Sequence, residues 1–131
     1  MVTVEKRDSK TFLVKIGGEE LLLSPETISP LDNDALNVLK LKIRGAITEL
    51  EAIKGYYEID RDAKKVELIN QLVNNGISRT QAEKQVKGDE TYVNYQKVFV
   101  SYQSMIDYLW AIYNYVDYLM NRRIENGSKK Q

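Results

Sequence analysis

The sequence predicts a mainly α protein, an elongated antiparallel helical hairpin or bundle carrying a small N-terminal β-hairpin. Three observations point there. Two stretches place apolar residues at alternating three- and four-residue spacing over several heptads. A Gly17-Gly18 pair lies between two short apolar runs near the start. The remaining Gly and Pro residues fall mostly at a few boundaries rather than throughout the chain. At 131 residues the chain is expected to form a single domain, 1–131.

Residues 11–24 read as the β-hairpin. Gly17-Gly18 can supply the positive φ angles of a tight turn, with Phe12-Leu13-Val14 on one side and Leu21-Leu22-Leu23 on the other. A lone hairpin is barely stable in water, so this one must dock on helices or on another subunit. Pro25 and Pro30 bracket a connector. Ser29-Pro30-Leu31-Asp32 then resembles a helix start, with a Ser cap and Pro at the first helical position.

A long helix is expected over 30–58. Leu36, Leu39, Ile43, Ala46, Leu50, Ile53 and Tyr57 form its seam. Asp60-Arg61-Asp62 is read as a restart, followed by a short helix pair over 62–87. Val66, Ile69, Leu72 and Val73 mark its first member, which Asn75-Gly76 ends; Ser78 caps the second. Asp89 caps the last and longest helix, 89–125, with a fraying tail from Asn126. Its core positions are Tyr92, Tyr95, Phe99, Tyr102, Ile106, Leu109, Tyr113, Val116 and Met120. A second stripe, Val98, Met105, Ile112 and Leu119, borders them. That face is wider than a two-helix seam requires, and it predicts an oligomer. The expected interface is Phe99, Tyr102, Ile106, Leu109, Trp110, Tyr113, Val116 and Met120, with Leu109→Glu disrupting assembly.

Composition narrows the chemistry. Absence of Cys removes disulfides, thiolate metal sites and cysteine nucleophiles; absence of His removes the commonest general base and metal ligand. There is no paired-carboxylate or Gly-rich phosphate motif, so neither an enzyme nor a cofactor or metal site is expected. The N-terminus Met1-Val2-Thr3-Val4-Glu5-Lys6 lacks a signal-peptide apolar core, and no apolar run is long enough to span a membrane. A soluble, cytoplasmic protein is expected, in the host cytoplasm if the chain is viral.

Partners are read from the side chains that the seams do not use. Six of the nine Tyr residues lie between 95 and 118. Tyr108, Tyr115 and Arg122 are spaced by seven, an outer stripe on which bases could stack beside a phosphate-holding Arg. Tyr, Trp and Arg dominate protein interfaces equally well. Between residues 60 and 88, six cations face four acids, a local basic surplus in a chain of net charge zero. Neutrality itself disfavours a dedicated nucleic-acid binder. Candidate single-stranded DNA contacts are Lys54, Lys64, Lys65, Arg79, Lys84, Tyr108, Tyr115, Arg122 and Arg123. Residues 68–82 also resemble a helix-turn-helix, with Arg79, Thr80, Gln81 and Lys84 opening a recognition helix.

Tyr56-Tyr57 near the end of a first helix, Ala82-Glu83-Lys84 leading to Asp89-Glu90-Thr91-Tyr92, and Arg122-Arg123 closing an aromatic helix form a further pattern. Over about residues 49–125 it resembles the phage recombination mediator family UvsY. The resemblance implies ring-like oligomers formed through the C-terminal helix, single-stranded DNA binding, and help in loading a recombinase onto DNA coated by a single-strand binding protein. The chain departs from that family before the Tyr pair: Glu51 and Ile53 stand in a stretch the family makes basic, leaving Lys54. The other expectation is a helical structural or interaction protein of a phage, a virion component or an inhibitor of a host complex, with no nucleic-acid binding.

Overall fold

The computed structural model describes residues 1–129, with side chains through residue 127. Lys130 and Gln131, the end of the expected fraying tail, lie outside the described residues. The fold is mainly α. Three strands come first, β1 (Val2–Lys6), β2 (Phe12–Ile16) and β3 (Glu19–Leu23), followed by helices α1 (Pro25–Ile28), α2 (Asn33–Asn74), α3 (Arg79–Val86) and α4 (Glu90–Lys129). Packing divides the chain into two compact units, residues Met1–Leu50 with Ser104 onward, and Glu51–Gln103.

In the first unit the strands form an antiparallel sheet in the order β1-β2-β3. Ile16 pairs with Glu19, so Gly17-Gly18 is the whole connection, and Gly17 takes the left-handed φ of 61° expected there. The predicted hairpin is thus β2-β3. β1 is a third strand beyond the predicted hairpin, with Val2, Thr3 and Val4 alternating buried, exposed, buried. Paired Val4 and Val14 share the inner face. That face packs into a core with Leu36, Leu39, Ile43, Ile47 and Leu50 of α2 and Ile106, Leu109, Ile112 and Val116 of α4. Each such side chain is worth about 1.5–3 kcal/mol when withdrawn from water.

The expected helix start at residue 30 moves to Asn33. Ser24 and Thr27 make the capping box instead, around a one-turn α1 with Pro25 at its first position. The Asp32 carboxylate then accepts from the Ala35 amide at 2.8 Å and caps α2.

Helix α2 does not stop near 58, nor restart at Asp60. No Gly or Pro interrupts residues 56–75, and Asp60 and Asp62 are both exposed on the helix surface. Between them, Arg61 donates to Gln96 Oε1 at 2.9 Å, so contact with α4 continues through the supposed break. The first member of the predicted short pair is therefore the end of α2. A Schellman motif terminates it, with Ile77 N donating to Leu72 O and Gly76 N to Val73 O, and Gly76 at φ 93°.

In the second unit, Ser78 caps α3 and Asp89 caps α4, as the sequence predicts. Ile69, Ala82 and Val86 form the buried centre, with Leu68, Leu72, Ile77 and Tyr92 around it. Helix α4 continues to Lys129 rather than ending at 125.

Candidate functional site

The outer stripe of α4 is the first candidate, and it is not an open stacking platform. Phe12 of β2 lies on Tyr108 with ring centroids 5.2 Å apart and planes inclined by 37°, and Lys6 Nζ stands 5.8 Å from the same ring. Tyr115 is half-buried and lines a small apolar groove of about 180 Å³ with Phe12, Leu23, Pro25 and Ile28. Sequence spacing located the stripe correctly but missed that the N-terminal sheet covers it.

The arginines at the end of α4 are also engaged. Arg122 donates to the Tyr118 hydroxyl at 2.6 Å. Arg123 donates to Asn33 Oδ1 and to the Ser29 carbonyl, both at 2.9 Å, and pins α4 to the α1-α2 connector. Arg123 therefore acts as a strut within the fold.

The remaining nucleic-acid candidates belong to the second unit. Lys54 donates to Gln103 Oε1 and lies 5.0 Å from the Phe99 ring centroid; the Arg61 guanidinium lies 4.6 Å from the same ring. Lys64 pairs with Glu67 at 3.4 Å, and Arg79 approaches Glu83 at 3.9 Å. Among the described residues Lys65 and Lys84 have no ion pair, and Lys84 is exposed on α3. Arg79, Thr80, Gln81 and Lys84 do open a helix after a Gly turn, but α3 has only eight residues.

Three of the eight residues of the predicted oligomer interface belong to the chain's own interior. Ile106, Leu109 and Val116 are buried, with Leu109 at 0% exposure. Tyr102 stacks on Tyr57 at 5.4 Å, and burial, then the neighbouring Tyr57, pushes its phenol above the ordinary range. Trp110 meets Tyr113 edge-on at 5.4 Å, with the Arg44 guanidinium 4.7 Å from the indole. Lys40 donates to Asp117 at 2.6 Å and lies 5.2 Å from the Tyr113 ring. That hydrogen bond holds the Lys40 ammonium above the usual lysine range. Phe99 and Met120 are half-buried. The other five predicted interface residues keep partial exposure, whereas Leu109 belongs to the chain's own core, so Leu109→Glu becomes a folding lesion rather than a selective break in assembly.

Open apolar side chains lie elsewhere. Val38, Leu41, Tyr56, Ile59 and Val66 of α2 are each at least half exposed, and Leu41 reaches 75%. Val38, Gly45, Ala52, Ile59, Val66 and Val73 recur every seven residues on the solvent side. The repeat was visible in the sequence. Ending the helix at 58 cut it in two and assigned Val66 and Val73 to a core.

Among the described residues no group of three or more acidic side chains could hold a metal ion, and no buried side-chain polar atom lacks a hydrogen-bond partner. No helix among them is long and apolar enough to cross a membrane. No protein-family model matches the chain, and neither the curated proteins nor the solved structures compared with it give a match.

Proposed function

We propose that this protein works by protein–protein contact, as a helical structural or interaction protein, and binds neither single-stranded nor duplex DNA. The observation that carries this reading is the partial cover of the Tyr108–Tyr115 stripe by β2 and α1, with Phe12 laid on the Tyr108 ring where a base would otherwise stack. Zero net charge supports it further, because phosphate contacts supply most non-specific affinity for nucleic acid. Large apolar side chains held in solvent along α2 are the usual mark of a surface that meets another protein.

Labelled oligo-dT titrated by fluorescence anisotropy at about 50 and 200 mM salt tests this, since phosphate-driven binding weakens steeply across that range. No binding at the lower salt is the expected result. Micromolar or tighter binding that falls with salt would overturn it.

Such binding would favour a second reading, a single-stranded DNA accessory protein of the recombination-mediator kind that cooperates with a recombinase. The observation on its side is the set of open cations around α3, Arg79, Lys84 and Lys87, of which Arg79 alone has an ion pair among the described residues, with Glu83.

A further inference from the structure

We propose that β3 takes on a fourth strand, an extended, cation-bearing segment of another protein laid antiparallel along its free edge. This docking rests on the protein-contact reading above and names its site and the partner's chemistry. β3 pairs with β2 on one side alone, because the sheet order is β1-β2-β3. Ile16 and Glu19 flank a two-residue turn and so bond to each other. In the alternating antiparallel ladder, Glu19, Leu21 and Leu23 therefore direct their backbone groups at β2. Those of Glu20 and Leu22 point the other way. Thr27 Oγ1, donating to Leu22 O at 3.0 Å, lies on that outer side and occupies one acceptor. Among the described residues no backbone bond outside the sheet reaches Glu20 or the Leu22 amide. Glu20 N–H, Glu20 O and Leu22 N–H are thus open to an added strand.

A groove of about 460 Å³ lies beside that edge, where the inward side chains of an added strand would go. Leu21 and Leu23 of β3, with Leu31, Ala35, Val38 and Leu39 from the connector and α2, give it apolar walls. Leu22 and Val38 are 54% and 52% exposed at its rim. All of these residues belong to the first unit. An extended peptide uses both features together: main-chain hydrogen bonds hold it to the edge, and alternate side chains enter the groove.

The strand edges of a second copy fit poorly. A second β3, centred on Leu21, would set its Glu19 against Leu23 over the apolar groove. β1 bonds to β2 through Thr3 and Glu5, so Val2, Val4 and Lys6 stand at its free edge. A second β1 would then lay its buried valines on the solvent face of β3, beside Glu20 and Leu22. Charge points to a cationic segment instead. Residues 19–42 carry five acids and two cations, Lys40 and Lys42, which Asp117 and Glu19 already hold. Asp32 caps α2, and Arg123, reaching the connector, donates to Asn33 and Ser29. Among the described residues Glu26 and Asp34 have no ion pair, and Glu20 keeps an exposed contact with Lys15 at 3.5 Å. A Lys or Arg opposite Glu20 is therefore favoured. The chain itself contains a matching sequence, since Phe12, Leu13, Val14 and Lys15 face Leu23, Leu22, Leu21 and Glu20 across the hairpin. On the outer edge the same sequence would turn its Phe and Val into the groove and its Lys toward Glu20.

A peptide with the sequence of residues 11–16 and blocked ends, titrated into the isotopically labelled full chain and followed by NMR, tests the docking. Saturable shifts of the Glu20, Leu22, Ala35 and Val38 amides are expected. Replacing the peptide's lysine by glutamate should weaken binding about fivefold, because like charges then face across the pair. Leu22→Pro removes one outward donor while sparing the β2-β3 ladder, and should weaken binding roughly tenfold. Val38→Lys, at an exposed position of α2, should do the same by placing a cation in the groove. No binding, shifts confined to residues away from the groove, or equal binding of a scrambled peptide would overturn the docking. So would an intact protein of twice its monomer mass that Leu22→Pro returns to a monomer, which would assign the edge to a second copy. None of these outcomes bears on the oligo-dT titration, so failure of this edge and failure of the protein-contact reading remain distinct.

Discussion

Tyr108 of α4 sits against Phe12 of β2, with 5.2 Å between ring centroids, so the N-terminal sheet partly covers the outer aromatic stripe of the last helix. Phe12→Ala is expected to cost about 2 kcal/mol, below the 3–5 typical of a fully buried Phe because Phe12 keeps partial exposure. Urea unfolding followed by circular dichroism reads this. An unchanged midpoint would mean the sheet does not hold α4.

Leu109 is fully buried in the core of the first unit. Leu109→Glu is therefore expected to abolish cooperative unfolding, since an unpaired buried carboxylate costs several kcal/mol against a typical total of 5–15. A folded, cooperative monomer of this variant would restore α4 as an assembly surface.

Gly76 and Gly55 should respond to alanine in opposite directions. Gly76 holds φ 93° at the end of α2, and nothing lies within 4 Å of an added Cβ, so its cost is backbone strain of roughly 1–2 kcal/mol. Gly55 is inside the helix with equal space, and Gly55→Ala should add about 0.5–1 kcal/mol. Thermal unfolding of both variants checks the pair; a stabilised Gly76→Ala would contradict the Schellman cap.

Stability should fall on the alkaline side. Lys40 keeps its proton more tightly in the folded protein because it donates to Asp117, and burial holds the proton on Tyr102. A group with a raised folded pKa contributes stability that is complete below its unfolded value and is lost as pH climbs through the folded one. Unfolding midpoints should therefore hold near neutrality and decline above about pH 10. Lys40→Met with Tyr102→Phe should flatten that decline. An unchanged alkaline slope in the double variant would remove both groups as its source. Asp8 acts at the other end: the Lys10 amide, donating to its carboxylate at 2.9 Å, lowers its pKa, so its contribution is lost as pH falls.

Much of this fold could be read from the residues. The heptads around Leu39-Ile43-Leu50 and Ile106-Leu109-Val116 follow from helical periodicity, and the Gly17-Gly18 turn and the caps at Ser78 and Asp89 from local chemistry. What escaped was tertiary. Asp60 and Asp62 look like a helix boundary until Arg61 is seen donating to Gln96, which carries α2 onward. Tyr108 and Tyr115 look open on a helical wheel because periodicity shows which side chains share a face, not which distant strand covers it. Covering that face required β1 and β2, and β1 has too short an alternation, Val2 to Val4, to stand out against a five-residue strand. The exposed row from Val38 to Val73 was equally legible, yet it acquires meaning only once α2 is known to be unbroken.

Tyrosine nitration followed by peptide mass spectrometry measures the covered aromatic face most directly, with Tyr118, 54% exposed, as the reference within the same chain. The account predicts rapid modification of Tyr118, slow modification of Tyr108 and Tyr115, and rates at those two positions unaffected by oligo-dT. Tyr108 and Tyr115 reacting as fast as Tyr118, and becoming protected when oligo-dT is added, would contradict it.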